Sequence, residues 1–184
     1  CIRDRAAYQF VKNTIEANRK VGLSHDQERK DRYNRVLAYL ILEDGRSLQQ
    51  LLLRHGLAVS IAVEPNVSRL GCMRQIESAA RTSAAGLWQL PEMQVIKADK
   101  LSAKARGYRF VSGKVKKVSK YKHRTYLQLS PTLSVRIKKK DLQQLAIKPK
   151  SLKNKQIIVR GWLNPFKKRQ TINLSTQENL QIFD

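Results

Sequence analysis

Tyr8, Val11, Ile15 and Ala17 recur at helical spacing from Ala6 onwards and Gly22 follows as a stop signal, which predicts an amphipathic helix at the start of the chain. The stretch from Ser24 to Arg35 is charged and short of apolar residues, the pattern of a hairpin loop. Val36 to Leu42 then reads as a strand turned by Asp44-Gly45. Ser47 is placed to cap a helix over 48–55, with Leu48, Leu51 and Leu52 on one face and Gly56 at its C-terminal end. Leu57 to Val63 is expected as a strand ending at Pro65-Asn66. A third helix from Ser68 to Ala84 would bury Leu70, Met73, Ile76, Ala80 and Ala84, with Leu87 and Trp88 anchoring its exit after Gly86.

Beyond Trp88 the period is lost. Residues 91–107 hold a proline and scattered charge, and are expected as a linker between a domain over 1–90 and a second over 108–184. From Tyr108 the period becomes two. Val111, Gly113 and Val115 alternate with Lys114 and Lys116; Leu133, Val135 and Ile137 alternate with Ser134, Arg136 and Lys138. Thr125–Leu129, Gln156–Trp162 and Arg169–Leu174 complete a set of short strands, with one small helix near Lys140–Leu145. Three strands, a helix and two strands is the order of a five-stranded OB barrel.

Charge changes this picture most. The 184 residues carry 37 Lys and Arg against 14 Asp and Glu, a net charge of +23. The excess is concentrated: residues 1–98 hold 15 basic and 10 acidic side chains, residues 99–184 hold 22 and 4. Such self-repulsion calls for a polyanionic partner. No apolar run approaches the roughly 20 residues of a membrane span, and the second half offers no basic amphipathic helix, so nucleic acid is favoured over an anionic membrane face. Cys1 and Cys72 match no metal-ligand spacing, and His25, His55 and His123 share no metalloprotease-like spacing. The chain starts at Cys1, without Met and inside a helical pattern, so it is expected to be part of something longer.

"DRYNRVLAY", "LLLRHGLAV", "EPN" and "RQIESAARTSAAGLW", in that order over Asp31 to Trp88, together resemble the staphylococcal-nuclease-like, or thermonuclease, family; Glu77 and Trp88 keep that family's eleven-residue spacing. The resemblance covers roughly the first half of the chain. It implies an α+β, mainly β protein: a nuclease-like OB-fold domain lacking its first strands, followed by a second five-stranded OB barrel. Arg35 falls on the arginine that reaches the scissile phosphate, where a guanidinium fork stabilises charge growing in the transition state. Arg32 and Tyr33 fall on the positions that hold a terminal phosphate. Asn34 replaces a glycine, which Asn tolerates because it accepts the left-handed conformation. Ile61 and Val63 stand where the best-known family form has two base-stacking tyrosines.

The family's calcium-binding aspartates, second phosphate-clamping arginine and catalytic glutamate precede its first helix, and this chain starts at that helix. The resemblance therefore implies calcium with ligands outside this chain, and secretion or a periplasmic location if the protein follows bacterial members. Asp26, Glu28 and Asp31 alternate with Arg29, Lys30 and Arg32, the pattern of a solvated hairpin, so no metal site is assigned. His55, in the last turn of a helix, is expected to interact with that end's partial negative charge.

In the second half, Lys114, Lys116, Lys117, Lys120, Lys122 and Arg124 surround the first hairpin with Tyr121 and Tyr126 interleaved. Arg136 and Lys138 to Lys140 follow the third strand, and Lys167, Lys168 and Arg169 crown the last hairpin. Cations tracking phosphates beside aromatic faces suit single-stranded DNA or RNA. Taken singly these lysines read as a solvated face, and Trp162 and Phe166 as core residues; as a set they read as a binding surface. The favoured reading is a nucleic-acid phosphodiesterase with an accessory binding barrel. The alternative is a non-catalytic nucleic-acid-binding protein on a nuclease-like scaffold. A protein-binding module, as in relatives that pair this fold with Tudor domains, ranks last.

Overall fold

The first helix forms where the periodicity placed it but turns a different face inward. In the computed structural model, which describes residues 2–18, 20–145, 147–166 and 169–183, α1 (Ile2–Glu16) leaves Tyr8 and Ile15 exposed and half-buries Ala7, Phe10, Val11 and Thr14. Phe10 sets its ring 4.9 Å from that of His55, so His55 packs on an aromatic neighbour as well as closing its own helix. The chain divides into two compact units, residues 1–91 and 92–184.

In the first unit β1 (Gly22–Ser24) pairs antiparallel with β2 (Tyr39–Ile41), with Leu23 opposite Leu40. The expected strand over Val36–Leu42 is thus shorter. Gln49 accounts for part of its edge: its side-chain oxygen accepts the Leu40 N–H (3.1 Å) and its amide donates to the Ala38 carbonyl (3.1 Å). Helix α2 (Leu48–Arg54) buries Leu48, Leu51 and Leu53. Helix α3 (Leu70–Thr82) buries Leu70, Met73, Glu77 and Ala80, a stripe that places a carboxylate where the apolar pattern suggested Ile76.

Leu57–Val63, expected as a strand, is not one. Val63 makes only an isolated bridge to Asn66. The backbone here is satisfied by side chains from α3 instead of by a neighbouring strand: Glu77 Oε2 accepts the Ser60 N–H (2.6 Å) and Arg74 Nη1 donates to the Ser60 carbonyl (2.8 Å). Buried backbone groups need a partner, and side chains serve as well as a ladder.

The ends of α2 and α3 meet at two glycines. Gly56 (φ +64°) and Gly86 (φ +53°) both sit in the left-handed region, and a Cβ on Gly86 would lie 2.5 Å from the Gly56 carbonyl oxygen. The Leu87 N–H donates to that same carbonyl (2.8 Å). Gly86→Ala is expected to cost about 2 kcal/mol or more, strain and backbone overlap together, and urea unfolding followed through the buried Trp88 would measure it.

Residues 91–107 are not a linker. They hold β3 (Val95–Lys97), which pairs parallel with β4 (Tyr108–Lys114), and they bury Ala98 and Leu101 in the second unit's core. Polar sequence with two well-placed apolar residues conceals this packing from a periodicity reading. The second unit continues with β5 (Lys117–Tyr121), β6 (Arg124–Gln128), β7 (Leu133–Lys138), helix α4 (Lys139–Gln144), β8 (Gln156–Phe166), β9 (Arg169–Asn173) and β10 (Leu180–Phe183).

Strand order runs β4-β8-β9-β7-β6-β5, with β7 and β9 parallel and the other neighbours in that path antiparallel. Only residues 115–116 separate β4 from β5. The Val115 N–H donates to the Lys155 carbonyl (3.0 Å) and the Lys116 N–H to the Gln128 carbonyl (2.8 Å), so one bent segment passes from partner β8 to partner β6 and the sheet returns on itself. Strand alternation sends Val111, Leu127, Val135, Ile137, Ile157, Val159 and Ile172 inward, all fully buried, with Thr125 and Gln170 buried beside them, and sends Tyr126, Arg136 and Asn173 outward.

Candidate functional site

Asp31 organises the loop that carries the sequence's leading candidates. Its Oδ1 accepts the backbone N–H of Tyr33 (2.8 Å) and of Arg35 (3.0 Å), and its backbone N–H donates to the Arg35 carbonyl (3.0 Å). Between them Asn34 takes φ +63°, the left-handed conformation the tight turn requires. Arg35 Nε and Nη2 both donate to Asp31 Oδ2 at 2.6 Å. The guanidinium is paired with a carboxylate yet not buried, since the Arg35 side chain stays 74% exposed.

Arg32 and Tyr33 stand beside it. Arg32 Nη2 donates to the Tyr33 hydroxyl (2.7 Å) with its Cζ 4.7 Å from the ring centroid, and the Arg35 Cζ lies 5.4 Å from the same ring. The structure therefore brings Arg32, Tyr33 and Arg35 into one exposed cluster of two cations on one aromatic ring. Partial desolvation pushes the Asp31 carboxyl up, but the hydrogen bonds from Arg35 and from the Tyr33 and Arg35 amides, with the Arg35 charge, hold it below the usual carboxylate value.

The neighbouring Asp26 carboxylate is committed to structure. Asp26 Oδ2 accepts from the Ser68 hydroxyl (2.8 Å) and N–H (3.0 Å), and the Ser68 side-chain bond is the main cause of its lowered pKa. Asn66 clamps the same hairpin, its amide donating to the Glu28 carbonyl and its Oδ1 accepting the Glu28 N–H, both at 2.8 Å. Among the described residues no three His, Cys, Asp or Glu side chains gather as a metal site. With Asp26 engaged by Ser68 and Asp31 by Arg35, the carboxylates described do not fit the calcium that the sequence resemblance implies.

The family model for staphylococcal nuclease homologues matches residues 4–90, the span that contains this loop, the glycine crossing and Trp88. Residues 4–90 belong to the staphylococcal-nuclease-like family. Two curated Bacillus subtilis proteins are similar to part of this chain: endonuclease YncB, 38% identical over 71 residues, and the SPbeta prophage-derived endonuclease YokF, 37% identical over 71 residues. Each alignment covers 38% of this chain, and the chain spans 33% and 24% of the length of those relatives.

Sequence reasoning missed Glu77 as anything more than a spacing marker. Glu77 is 3% exposed, and its Oε1 lies 3.5 Å from Arg74 Nη1. Its signal was available: a carboxylate on the apolar face of a helix, three residues after an arginine, is the pattern of a buried intrahelical ion pair.

In the second unit the basic residues fall in two groups, towards opposite ends of the sheet. Lys120, Lys122, Arg124 and Lys138 gather with Lys139, Lys140 and His123 around two adjoining open clefts of about 480 and 250 Å³. Lys116, Lys117 and Arg169 fall at the opposite end of the sheet: the register sets Lys117 against Gln128, Gln128 against Ser134 and Leu133 against Gln170, while Lys114 pairs with Gln156 at the start of β8. Lys116 is partly neutralised there by Asp99, 3.0 Å away. Arg136 lies between the two ends, its Nε donating to Asn173 Oδ1 at 2.7 Å. Tyr121 is exposed in the first cluster, with Lys122 Nζ 5.6 Å from its ring centroid. Lys167 and Lys168 lie outside the described residues. Trp162, expected in the core by default, is 55% exposed. No helix among the described residues is long and apolar enough to cross a membrane.

Proposed function

We propose that this chain serves a nucleic-acid phosphodiesterase, an endonuclease-like hydrolase, in which the nuclease-like unit presents Arg35 to the scissile phosphate and the second unit captures the strand. The observation that carries this reading is the Asp31–Arg35 loop. A guanidinium held on one edge by a carboxylate, and exposed on the other, is pre-oriented to receive phosphate oxygens without paying for reorganisation at the moment of reaction. Arg32 and Tyr33, one hydrogen bond apart, would hold a neighbouring phosphate. The endonuclease names of the two Bacillus subtilis relatives support the same class of activity. A phosphodiesterase assay on the full-length protein, with and without calcium, tests it; no cleavage of DNA or RNA in either condition overturns it.

The second unit is read as an OB barrel. Its support is the connectivity: one bent segment shared by two sheet edges, a helix after the third strand, and a parallel closing pair formed by β7 and β9. The partner proposed for it is single-stranded DNA or RNA held by phosphate contacts, which releases counterions on binding. Alanine at Arg124, Lys138 and Lys139 together is expected to reduce the slope of log K against log salt by about 2, roughly 0.7 for each lost contact to a single strand. An unchanged slope in a titration at several salt concentrations would place the strand elsewhere.

One observation favours a non-catalytic variant of this reading. Asp26 and Asp31 both spend their carboxylates on Ser68 and Arg35, leaving the nuclease-like unit suited to bind phosphate without hydrolysing it. Strand binding that survives with no turnover would select it.

A further inference from the structure

The outer face between the two basic ends is not a plain solvated surface. Strand register lines up one row of side chains across it. Ser119 on β5 stands opposite Tyr126 on β6, Tyr126 opposite Arg136 on β7, and Arg136 opposite Asn173 on β9. One step beyond the Leu163–Ile172 pair, the same row reaches Trp162 on β8, which stands opposite Tyr108 on β4. Thr125, Leu127, Val135 and Ile137 are buried, so alternation sends Tyr126 and Arg136 outward.

Trp162 is exposed but held. Its ring meets Tyr108 edge to face, centroids 5.7 Å apart and planes at 83°. Tyr108 is fixed in turn by Arg160, whose Nε donates to the Tyr108 hydroxyl (3.0 Å) and whose Cζ lies 4.5 Å from the Phe110 ring centroid. An indole left in water on a strand loses the favourable burial of a large apolar surface. Here that surface is held against Tyr108, in one row with the Asn173 amide and the Arg136 guanidinium, and the clefts that hold six cations lie farther along β6 and β7, at Arg124 and Lys138.

We propose that Trp162 and Tyr126, with Arg136 and Asn173 between them, form a stacking platform for the unpaired bases of a nucleic-acid strand whose phosphates run through the basic cleft. Adjacent strands are spaced about 4.8 Å apart, so the three intervals from β8 to β6 separate the two rings by about 14 Å, room for bases between them. A duplex hides its base faces and offers only phosphate to the cleft. The platform therefore makes the second unit discriminate single strands from duplexes, which charge alone does not. This inference rests on the proposal that the second unit binds nucleic acid.

The two tryptophans make it testable, because Trp88 is only 1% exposed while Trp162 faces solvent. The whole chain is titrated with oligo-dT, with a duplex of the same length and with heparin, following tryptophan emission and affinity. Oligo-dT is expected to quench the exposed tryptophan's emission, whereas duplex and heparin bind without that quench. Trp162→Ala is expected to weaken oligo-dT binding by about tenfold or more and to leave heparin binding unchanged. Trp162→Phe, which keeps an aromatic face, should restore most of the affinity. Oligo-dT binding that is unaffected by Trp162→Ala, or equal quenching by the duplex, overturns the platform and leaves nucleic-acid binding standing. If neither nucleic acid binds at all, the reading of the second unit as a strand-binding barrel falls with it.

Discussion

Replacing Arg35 by alanine in the full-length protein is expected to lower turnover by about 100- to 1000-fold while changing substrate affinity far less, the size and signature of a lost transition-state donor. The expectation follows from how the side chain is held. Asp31 fixes Nε and Nη2 through one carboxylate oxygen and fixes the backbone on either side through the other, so the remaining edge of the guanidinium is aimed before substrate arrives. Arg35→Lys should not rescue, because a single ammonium cannot both satisfy Asp31 and fork onto phosphate oxygens. Steady-state kinetics of the variants decide it: an unchanged kcat would make Arg35 a structural partner of Asp31.

Glu77→Ala is expected to destabilise the nuclease-like unit by about 3 kcal/mol or more, the usual cost of removing one member of a buried ion pair. Three groups lose a partner at once. The Ser60 N–H loses its acceptor, Arg74 loses the Glu77 charge, and the 57–63 segment, which has no strand neighbour among the described residues, loses one of the two side-chain ties between its backbone and α3, the Arg74–Ser60 carbonyl bond being the other. Glu77→Gln keeps an acceptor for Ser60 and should cost less. Urea unfolding followed through Trp88, buried in the same unit, measures both; equal stability of the alanine variant and the parent chain would show that the segment is held by packing alone.

The helices were legible because each carries its own punctuation. Gly56 follows α2 where the pattern placed its stop, whereas α3 ends earlier than its Gly86 signal, at Thr82 with Ala84 in the left-handed region (φ +51°), and the alternation after Tyr108 fixed which residues of β6 and β7 face inward. Leu57–Val63 misled because an apolar run records burial and not a partner. What satisfies that backbone is a pair of charged side chains seventeen and fourteen residues away. The stretch 91–107 misled in the opposite way: Ala98 and Leu101 are too few to make a period, yet they complete a core whose other walls come from distant strands.

The candidate site divides along the same line. Asp31, Arg32, Tyr33 and Arg35 are close in sequence, and a tight turn with Asn34 in the left-handed region leaves them few ways to be arranged, so their clustering was readable before any coordinates. The basic residues were readable as a set but not as a place. Arg124 and Lys138 share a cleft with Lys139 and Lys140, while Lys116 and Arg169 sit at the far end of the sheet, because strand register and not sequence distance decides which cations add their fields.

The chain by itself determined its periodicities, its helix stops, its charge imbalance and its local arginine loop, all of which depend on neighbours a few residues apart. Only the tertiary structure decided that Glu77 lies inside, that 91–107 belongs to the second unit, and that Trp162 stands in one row with Arg136 and Tyr126. The burial of Glu77 comes from α3 closing on the 57–63 segment; the other two come from which strand pairs with which and in what register, and a one-residue shift in register would turn Trp162, Arg136 and Tyr126 to the other face.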